Sequence, residues 1–339
     1  MNRANWRGVL ATCMLLGTLG TAIAQETRLV FATTMPAGPG AAGASVFLDP
    51  WIQRVNELGK GAVVIERRDG PNIATMANSY DRVLGDVVQV AWGLQPLLGG
   101  KFPLSEVGGL PFMSNSTEQS AAALWRLYKT GLLDAEYKDI VPLWLAVSAQ
   151  NKIHFGKPPK APGDLSGLKL NVFNRILVQV VEQFGGTAVS VGPEQQYESL
   201  QRGNIDGTLT AWASFAAYRL GEVTTYHTEA PFGSSVHMFF MSRKKYEALS
   251  PAARKALEDA SGERQSRFHG KVWDDEEVKQ KAAVEATGKH QFYLPGAEEL
   301  ETWRKKTSPI VEGWAKSRPD GEKILATYRQ ILTDVQAGK

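Results

Sequence analysis

The sequence predicts an α/β protein made of two lobes that face each other across a cleft. The order strand, helix, strand, helix, strand occurs once in each half of the chain, over residues 28–92 and again over residues 167–210. Runs rich in β-branched residues alternate with amphipathic segments that glycines close, a pattern typical of parallel sheets covered by helices. Because such sheets bind ligands at the carboxyl ends of their strands, the loops at those ends are the predicted site.

The amino-terminal residues 1–24 predict a cleavable export signal. Two arginines precede the apolar residues 8–20, and Ala22 and Ala24 fit the small-residue rule for signal cleavage. The apolar stretch is too short to span a bilayer. We therefore expect the mature chain to begin at Gln25 and to work in the periplasm.

Composition excludes several classes of protein. Cys13 is the only cysteine and lies in the predicted signal, so the mature chain has no disulfide and must rely on a large core. The residues before Cys13 faintly resemble a lipoprotein cleavage box, which is the alternative to a soluble mature protein. The formal net charge is +3 at pH 7, and it approaches zero once the signal arginines are removed. This charge does not predict a nucleic acid or an anionic membrane as partner, and we expect a monomer.

The first lobe is predicted from three strand-like runs and two helical patterns. The strands cover residues 28–34, 63–67 and 87–92, and the helices cover 48–58 and 76–84. A glycine follows the last apolar residue of each helix, which is the usual helix stop. These elements alternate, as a parallel sheet requires.

The second lobe repeats this order with different residues. Strands are predicted at 167–173, 187–191 and 205–210, with helices at 177–184 and 193–200. Proline opens the second of these helices, and glycines end both of them. The two halves share a pattern and not a sequence, which predicts two similar lobes rather than an internal repeat.

The remaining segments connect and brace the lobes. Two strands, 141–147 and 152–155, are predicted to cross between them, and a helical pattern runs from Pro251 to about Thr287 with few breakers. The apolar run 236–241 predicts a strand that is buried on both faces. Another strand at 290–294 and helices at 298–314 and 321–336 complete the chain. The predicted division is lobe one at 25–147, with carboxyl-terminal segments returning to it, lobe two at 148–245, and the bracing and final helices at 246–339.

Residues 164–207 resemble the second-lobe signature of DctP-type solute-binding proteins of TRAP (tripartite ATP-independent periplasmic) transporters. Residues 100–103 and 110–112 resemble the same family in the first half. The resemblance implies a two-lobed periplasmic-binding-protein architecture, braced by a long helix, that closes around a small organic solute and delivers it to a TRAP membrane permease. The matching residues are Asp164, Leu165, Gly167, Leu168, Lys169, Val172, Gly186, Thr187, Val189, Tyr197, Leu200, Gln201, Gly203, Ile205, Asp206 and Gly207.

The chain departs from the family signature at Asn171. The family usually has an arginine there, which holds the carboxylate of the ligand through two parallel hydrogen bonds. Asparagine carries no charge, so the ligand of this chain is predicted to be an organic acid that depends less on its carboxylate, such as a hydrophobic or aromatic monocarboxylate, or else a neutral solute. Lys152, at another family position with a basic contact, and Arg175, at the start of the next helix, are the candidates for compensation; each is equally consistent with a solvated surface cation.

Aromatic residues at strand ends predict an apolar ligand. Trp92 ends the third strand of lobe one, and Trp212 follows the third strand of lobe two. One tryptophan on each lip would sandwich a planar solute, with Phe173 in the same wall and Thr210, at the position of a ligand-binding asparagine of the family, as a polar contact. The alternative is that either tryptophan belongs to a core. His237, in an apolar run, is expected to be a core histidine.

The sequence contains no pattern of catalytic chemistry. It has no metal-binding histidine pair, no serine nucleophile elbow, and no glycine-rich phosphate loop. We therefore predict a binding protein without a cofactor, a metal or an enzymatic activity. Two alternatives stay open at this point: a sensor component that presents the same ligand to a membrane receptor, and an exported enzyme.

Overall fold

The computed structural model describes residues 26–33, 44–70 and 72–339, without the side chains of Ala44 and Glu194. The predicted export signal and the predicted mature terminus at Gln25 lie outside the described residues. The strands are β1 (Thr27–Thr33), β2 (Val63–Asp69), β3 (Val90–Leu94), β4 (Ile140–Val147), β5 (Lys152–Phe155), β6 (Lys169–Asn171), β7 (Thr187–Val189), β8 (Gly207–Thr210), β9 (Tyr226–Thr228), β10 (Val236–Ser242) and β11 (Gln291–Tyr293). The helices are α1 (Ala44–Leu58), α2 (Ser79–Leu84), α3 (Thr117–Lys129), α4 (Arg175–Gln183), α5 (Gln196–Gln201), α6 (Phe215–Tyr218), α7 (Arg243–Ala248), α8 (Pro251–Ala260), α9 (Gly262–Glu285), α10 (Ala297–Lys316) and α11 (Gly321–Gln336).

The strands form two mixed sheets, one in each lobe. The lobe-one sheet has the order β2-β1-β3-β10-β4, in which β1, β2 and β3 are parallel. The lobe-two sheet has the order β11-β9-β5-β8-β6-β7, in which β6, β7 and β8 are parallel. The predicted β-α-β-α-β order in each half, and with it the two-lobed α/β class, is confirmed.

Strand β10 corrects the predicted lobe boundary. The predicted division assigns it to lobe two, but it pairs antiparallel with both β3 and β4 in the lobe-one sheet. Its apolar residues are buried on both faces because it lies between two strands of that sheet. The chain therefore crosses to lobe two after β4, returns before β10, and crosses again to add β11 beside β9.

The two crossing segments, residues 148–151 and 229–235, are bonded to each other. The amide of Ser148 donates to the carbonyl of Ser235 at 2.9 Å, and the amide of Asn151 donates to the carbonyl of Gly233 at 2.7 Å. The side chain of Gln150 accepts from the amide of Gly233 at 2.7 Å. These bonds hold the two crossing segments side by side where the chain passes between the lobes.

The long predicted helix is broken into α8 and α9. Ser261 has extended backbone angles, and Gly262 has φ +77°, a left-handed conformation that glycine adopts without strain. The sequence did not predict this break, because a single glycine is its only local signal. Gly262 lies against Trp125 of α3, where a Cβ would make an ordinary contact 3.5 Å from the indole ring, so the left-handed φ and not a lack of space favours glycine here.

Of α8 and α9, helix α9 is the one that braces the two lobes. Toward lobe one, Gly270 packs so closely on α3 that a Cβ would lie 2.5 Å from the Cα of Glu118. The carboxylate of Asp274 accepts from the backbone amide of Thr117 at the start of α3, at 2.8 Å. Toward lobe two, Glu277 of α9 accepts from Lys152 of β5 at 2.7 Å.

Helix α10 makes a second bridge, which the sequence did not indicate. Trp303 near its start packs on Phe184 and Phe232, with ring centroids 5.8 and 5.6 Å apart. Arg318, just beyond its end, donates to the carbonyl of Pro103 in lobe one at 2.9 Å. Among the described residues, no helix combines the length and apolar character needed to cross a bilayer.

Candidate functional site

A cavity of about 120 Å³ lies between the two lobes. Strands β3 and β10 line it from lobe one, the loop after β8 lines it from lobe two, and α9 and the crossing segments close its sides. The lining residues are Met76, Trp92, Leu94, Ser148, Ala149, Asn151, Phe173, Pro193, Gln196, Thr210, Ala211, Ala213, Ser214, Tyr218, Ser235, His237 and Trp273.

The lobe-one wall is an aromatic cluster built around His237. Its ring lies edge-on to the ring of Trp273, with centroids 4.8 Å apart and planes at 71°. The indole Nε1 of Trp92 donates to Nδ1 of His237 at 3.1 Å. An indole N–H can only donate, so Nδ1 of His237 carries no proton and its neutral ring carries the proton on Nε2.

His237 is neutral at physiological pH. Burial disfavours the charged imidazolium and lowers the pKa of His237 to about 3. Only 8 % of the residue is exposed, and it lines the cavity. The side chain expected to be a core histidine is therefore an uncharged N–H donor at the cavity wall.

The lobe-two wall is polar and uncharged. Thr210 ends β8, and Ser214 lies in the short turn of helix after it. The side chain of Gln196 reaches the same wall and accepts from the hydroxyl of Thr208 at 2.8 Å. Phe173, which follows β6, adds an aromatic ring.

An ion pair lies behind the lobe-two wall. The ammonium of Lys152 donates to Glu277 Oε2, and the backbone amide of Ala213 donates to Oε1 of the same carboxylate, both at 2.7 Å. Burial is the largest influence on the pKa of Glu277 and raises it, while Lys152 opposes that shift. This pair fixes the backbone of the cavity wall at Ala213, and it neutralises the cation of Lys152.

No group of three or more His, Cys, Asp or Glu side chains suited to a metal ion occurs within residues 26–33, 44–70 and 72–339. Among the described residues that line the cavity, none is Lys, Arg, Asp or Glu. The donors and acceptors around it are hydroxyls, amides, an imidazole and an indole. Such a set can orient a small solute and does not resemble a metal site.

Comparison with known proteins identifies the family. Residues 45–317 match the model of the bacterial extracellular solute-binding proteins, family 7, which is the DctP family. The chain belongs to this family. The predicted resemblance to DctP-type solute-binding proteins is thereby confirmed.

Curated relatives of this solute-binding protein share about a quarter of its sequence. The outer membrane transporter protein TsaT of Comamonas testosteroni is 24% identical over 334 residues, which cover 96% of this chain and 98% of the relative. The C4-dicarboxylate-binding periplasmic protein DctP of Rhodobacter capsulatus is 24% identical over 170 residues, half of each chain.

Solved structures of TRAP solute-binding proteins have the same fold. A protein from Rhodoferax ferrireducens, with copurified benzoate, has a TM-score of 0.84 and 25% identity over 92% of this chain and 100% of its own. A marine metagenome protein specific for aromatic acids, in complex with 3-hydroxybenzoate, has a TM-score of 0.83 and 25% identity over 92% of this chain and 99% of its own. These matches confirm the two-lobed periplasmic-binding-protein architecture.

The predicted site residues of the solute-binding protein fall into two groups. Trp92, Phe173 and Thr210 line the interlobe cavity together. The other four, Lys152, Asn171, Arg175 and Trp212, are not among its lining residues. Each of these four has a partner or a position that explains the difference.

Trp212 belongs to the core of lobe two and not to a lip of the cleft. It is 1 % exposed and packs on Phe215 and His154, with ring centroids 4.3 and 4.6 Å apart. Its indole Nε1 donates to Glu229 at 2.8 Å, which satisfies the buried N–H. The aromatic side chain next to Trp92 in the cavity wall is that of Trp273, and the two ring centroids lie 6.3 Å apart.

The three polar candidates are also placed elsewhere. Lys152 is paired with Glu277. Asn171 is fully buried; its Oδ1 accepts from the amide of Val191 at 2.9 Å, while its Nδ2 is buried without a hydrogen-bond partner. Arg175 is exposed and lines a separate cavity of about 290 Å³, next to Arg318.

Several cavity residues had no signal in the sequence that could locate them. Trp273 lies within a helical pattern far from the strands, and Asn151 and Ser235 lie in the crossing segments. Only the alternation of β10 offers a clue, because residues 235 and 237 face this cavity and residues 234 and 236 line the second one.

Proposed function

We propose that this chain is a periplasmic solute-binding protein that captures a small organic solute with an aromatic ring and passes it to a TRAP membrane permease. The observation that carries this proposal is the aromatic wall formed by Trp92 and Trp273, with Phe173 in the same cavity. Flat apolar surfaces of this kind favour a planar ring over an aliphatic chain.

The size of the cavity agrees with a single-ring ligand. Its volume is about 120 Å³, and an apolar cavity of ~150 Å³ in an unrelated protein holds one benzene molecule. The related TRAP proteins with benzoate and 3-hydroxybenzoate support the same class of solute. For this chain we therefore favour single-ring aromatic solutes over C4 dicarboxylates.

Capture is proposed to occur by closure of the lobes. The cavity takes its walls from both lobes, so a solute that contacts Trp92 and Thr210 stabilises only the arrangement in which the lobes approach each other. The bonded crossing segments at 148–151 and 229–235 provide the hinge. Binding then involves no covalent step, and the solute is released unchanged.

Periplasmic location and delivery rest on the sequence and the family. Residues 1–24 have the pattern of an export signal, and the family consists of extracellular solute-binding proteins. Intact mass of the protein purified from the periplasm is expected to begin at Gln25. Retention of residues 1–24, or a lipid-modified Cys13, would contradict this part of the proposal.

A thermal-shift screen tests the ligand class. Purified mature protein is heated with single-ring aromatic acids, their amides, and C4 dicarboxylates such as succinate. A ligand that binds only the folded state raises the melting temperature, so we expect a rise with aromatic solutes alone. A rise with dicarboxylates and none with aromatic solutes would overturn the proposal. Recovery of the bound compound unchanged after incubation separates binding from turnover.

A further inference from the structure

The proposed function leaves the charge of the solute open, and the following inference rests on that function. We propose that the solute binds as an uncharged molecule, and that Nε2–H of His237 donates a hydrogen bond to its acceptor atom. His237 thereby becomes the residue that determines specificity. The family arginine that would hold a carboxylate is replaced by Asn171, which is fully buried and does not line the cavity.

The walls of the cavity contain no charge that could pair with a carboxylate. None of its lining residues is Lys, Arg, Asp or Glu. The sequence of residues 34–43 and 71, which lie outside the described part of the chain, contains no ionisable side chain either. Glu194, whose side chain is not described, is an acid and would repel an anion. The sequence thus supplies no replacement cation from these positions.

The predicted replacement cations both lie away from the cavity lining. Lys152 is held by Glu277 at 2.7 Å, and the two side chains are only 18 % and 12 % exposed. To reach a ligand, Lys152 would have to leave a carboxylate that is buried with it, and a buried carboxylate left alone is unfavourable. Arg175 is exposed in the second cavity, beyond the strand that separates the two.

The polar group that does face the cavity is a neutral donor with a fixed orientation. Trp92 Nε1 donates to Nδ1 of His237, which leaves Nε2 as the protonated nitrogen. Trp273 packs edge-on against the imidazole of His237 and holds that ring in place. A fixed, partly desolvated N–H is well suited to a carbonyl, hydroxyl or ether oxygen, and it offers no full charge to a carboxylate.

Two hydroxyl groups extend this polar end of the cavity. Ser235 Oγ accepts from the side-chain amide of Asn174 at 3.2 Å, and Ser148 Oγ accepts from the amide of Ser235 at 3.0 Å. Both serines line the cavity beside His237. Ser148 Oγ also donates to the carbonyl of Ser235 at 3.3 Å, whereas the hydroxyl of Ser235, which accepts from Asn174, can still donate. This end of the cavity therefore suits a neutral group such as a carboxamide, which both donates and accepts.

Calorimetric titration of matched acid and amide pairs tests the inference. The probes are benzoate with benzamide and 3-hydroxybenzoate with 3-hydroxybenzamide, at pH 7.5 and constant ionic strength. We expect each amide to bind at least about tenfold more tightly than its acid, because an unpaired charge is unfavourable in a desolvated cavity.

The other outcomes separate the inference from the proposed function. Tighter binding of the acids would overturn the inference and leave an aromatic solute-binding protein. Failure of every aromatic probe in the titrations, together with binding of a non-aromatic solute in the thermal-shift screen, would overturn the proposed function and the inference with it.

Two variants assign the effect to His237. His237→Phe keeps an aromatic ring and removes the donor, and we expect the amides to lose about tenfold or more in affinity, as for loss of one buried hydrogen bond. His237→Gln restores an N–H donor and is expected to recover part of that affinity. Equal amide affinity in wild type and His237→Phe would contradict the assigned role. If His237→Phe does not fold, the ratio of amide to acid affinity in His237→Gln decides, because the inference requires that amides remain preferred.

Glu277→Gln provides the opposite test. This variant keeps an acceptor for the amide of Ala213 and removes the charge that neutralises Lys152. We expect the ratio of acid to amide affinity to rise by about tenfold, because a cation is released behind the wall. A ratio that is unchanged from wild type would show that the charge of Lys152 does not govern the choice, and would contradict the neutralising role assigned to Glu277.

Discussion

The two lobes contribute different chemistry to the same cavity. Lobe one, with α9 against it, presents packed rings, chiefly Trp92 and Trp273, and one fixed imidazole donor. Lobe two presents hydroxyl and amide groups such as Thr210 and Gln196, and the ion pair of Lys152 with Glu277 lies behind the wall. The difference teaches that apolar contact comes mainly from lobe one, while lobe two adds polar contacts on closure.

Two tryptophans that the sequence predicted at corresponding strand ends make the contrast concrete. Trp92 lies within β3, and its side chain faces the cavity, where its N–H is bonded to His237. Trp212 lies in the turn after β8, and its side chain points into lobe two, where its N–H is bonded to Glu229. A strand-end position therefore places a residue near the cavity without deciding which way its side chain turns.

A decrease in pH is expected to have the largest effect on the free energy of unfolding, and it should destabilise both lobes. Burial lowers the pKa of His227 in lobe two and of His237 in lobe one to about 3, and it lowers those of His154 and His269 well below their usual value. The unfolded chain takes up these protons first, so stability falls as the pH decreases below about 6.5. At pH 5 the loss is about 2 kcal/mol for a histidine with a folded pKa of about 3.

Buried carboxyl groups oppose this effect, because burial raises the pKa of Glu277 as well as that of Glu136. Burial raises the pKa of Glu136 to about 7, so its contribution to stability is lost as the pH rises and offsets roughly one histidine on acidification. Chemical denaturation at pH 7 and pH 5 measures the balance. Equal stability at the two pH values would contradict the burial of neutral imidazoles in both lobes.

Trp212→Ala sharpens the contrast between core and cavity. Removal of this buried ring from lobe two is expected to lower the free energy of unfolding by about 3–5 kcal/mol. The folded fraction should bind the aromatic solute with wild-type affinity, because Trp212 does not line the cavity. Denaturation and titration of the same preparation measure the two effects. A large loss of affinity with little loss of stability would show that Trp212 contacts the solute, and would contradict its place in the core.

Asn171→Arg tests whether a cation introduced into lobe two changes the preference of the site for acids or amides. The substitution restores the residue that the family usually has, and it removes the bond from the amide of Val191 to Asn171. We expect a loss of stability of about 1–3 kcal/mol from that unpaired amide and a shift of affinity from the amides toward the matching acids. An unchanged preference would show that position 171 does not communicate with the cavity, and Asn171→Gln is the control for size without charge.

Closure of the lobes is expected to give the smallest measurable effect, a slight decrease in the radius of gyration. A compact chain of this length has a radius of gyration of roughly 20 Å, and rotation about the crossing segments should decrease it slightly when the solute binds. Small-angle scattering with and without the tightest-binding probe measures the change. No change would argue against closure, unless the free protein already populates the closed form.

The sequence predicted the architecture because its signals are local. Strand and helix patterns, the glycine stops and the order of elements repeat in both halves, and the strands and helices follow them closely. The break at Gly262 was missed because it depends on the left-handed conformation of one glycine, and the lobe of β10 was missed because it depends on strand pairing. Neither interaction leaves a local pattern.

The site was harder to predict because its contacts join distant parts of the chain. Trp92 bonds to His237 across 145 positions, and Lys152 bonds to Glu277 across 125 positions. Strand-end logic found Trp92 and Thr210, and it could not find Trp273, which reaches the cavity from a helix. The sequence also could not predict that Lys152 is neutralised, because its partner Glu277 lies on the distant helix α9.

The most direct test of solute binding on the aromatic wall is calorimetric titration of Trp273→Leu beside wild type, with the aromatic probe that wild type binds most tightly. Leucine keeps an apolar side chain on α9 and removes the ring that forms the cavity wall with Trp92. We predict one site in wild type and a loss of affinity of about tenfold or more in the variant, as for loss of an aromatic anchor. Wild-type affinity in a folded Trp273→Leu protein would contradict the claim that the solute is held on the aromatic wall between the lobes.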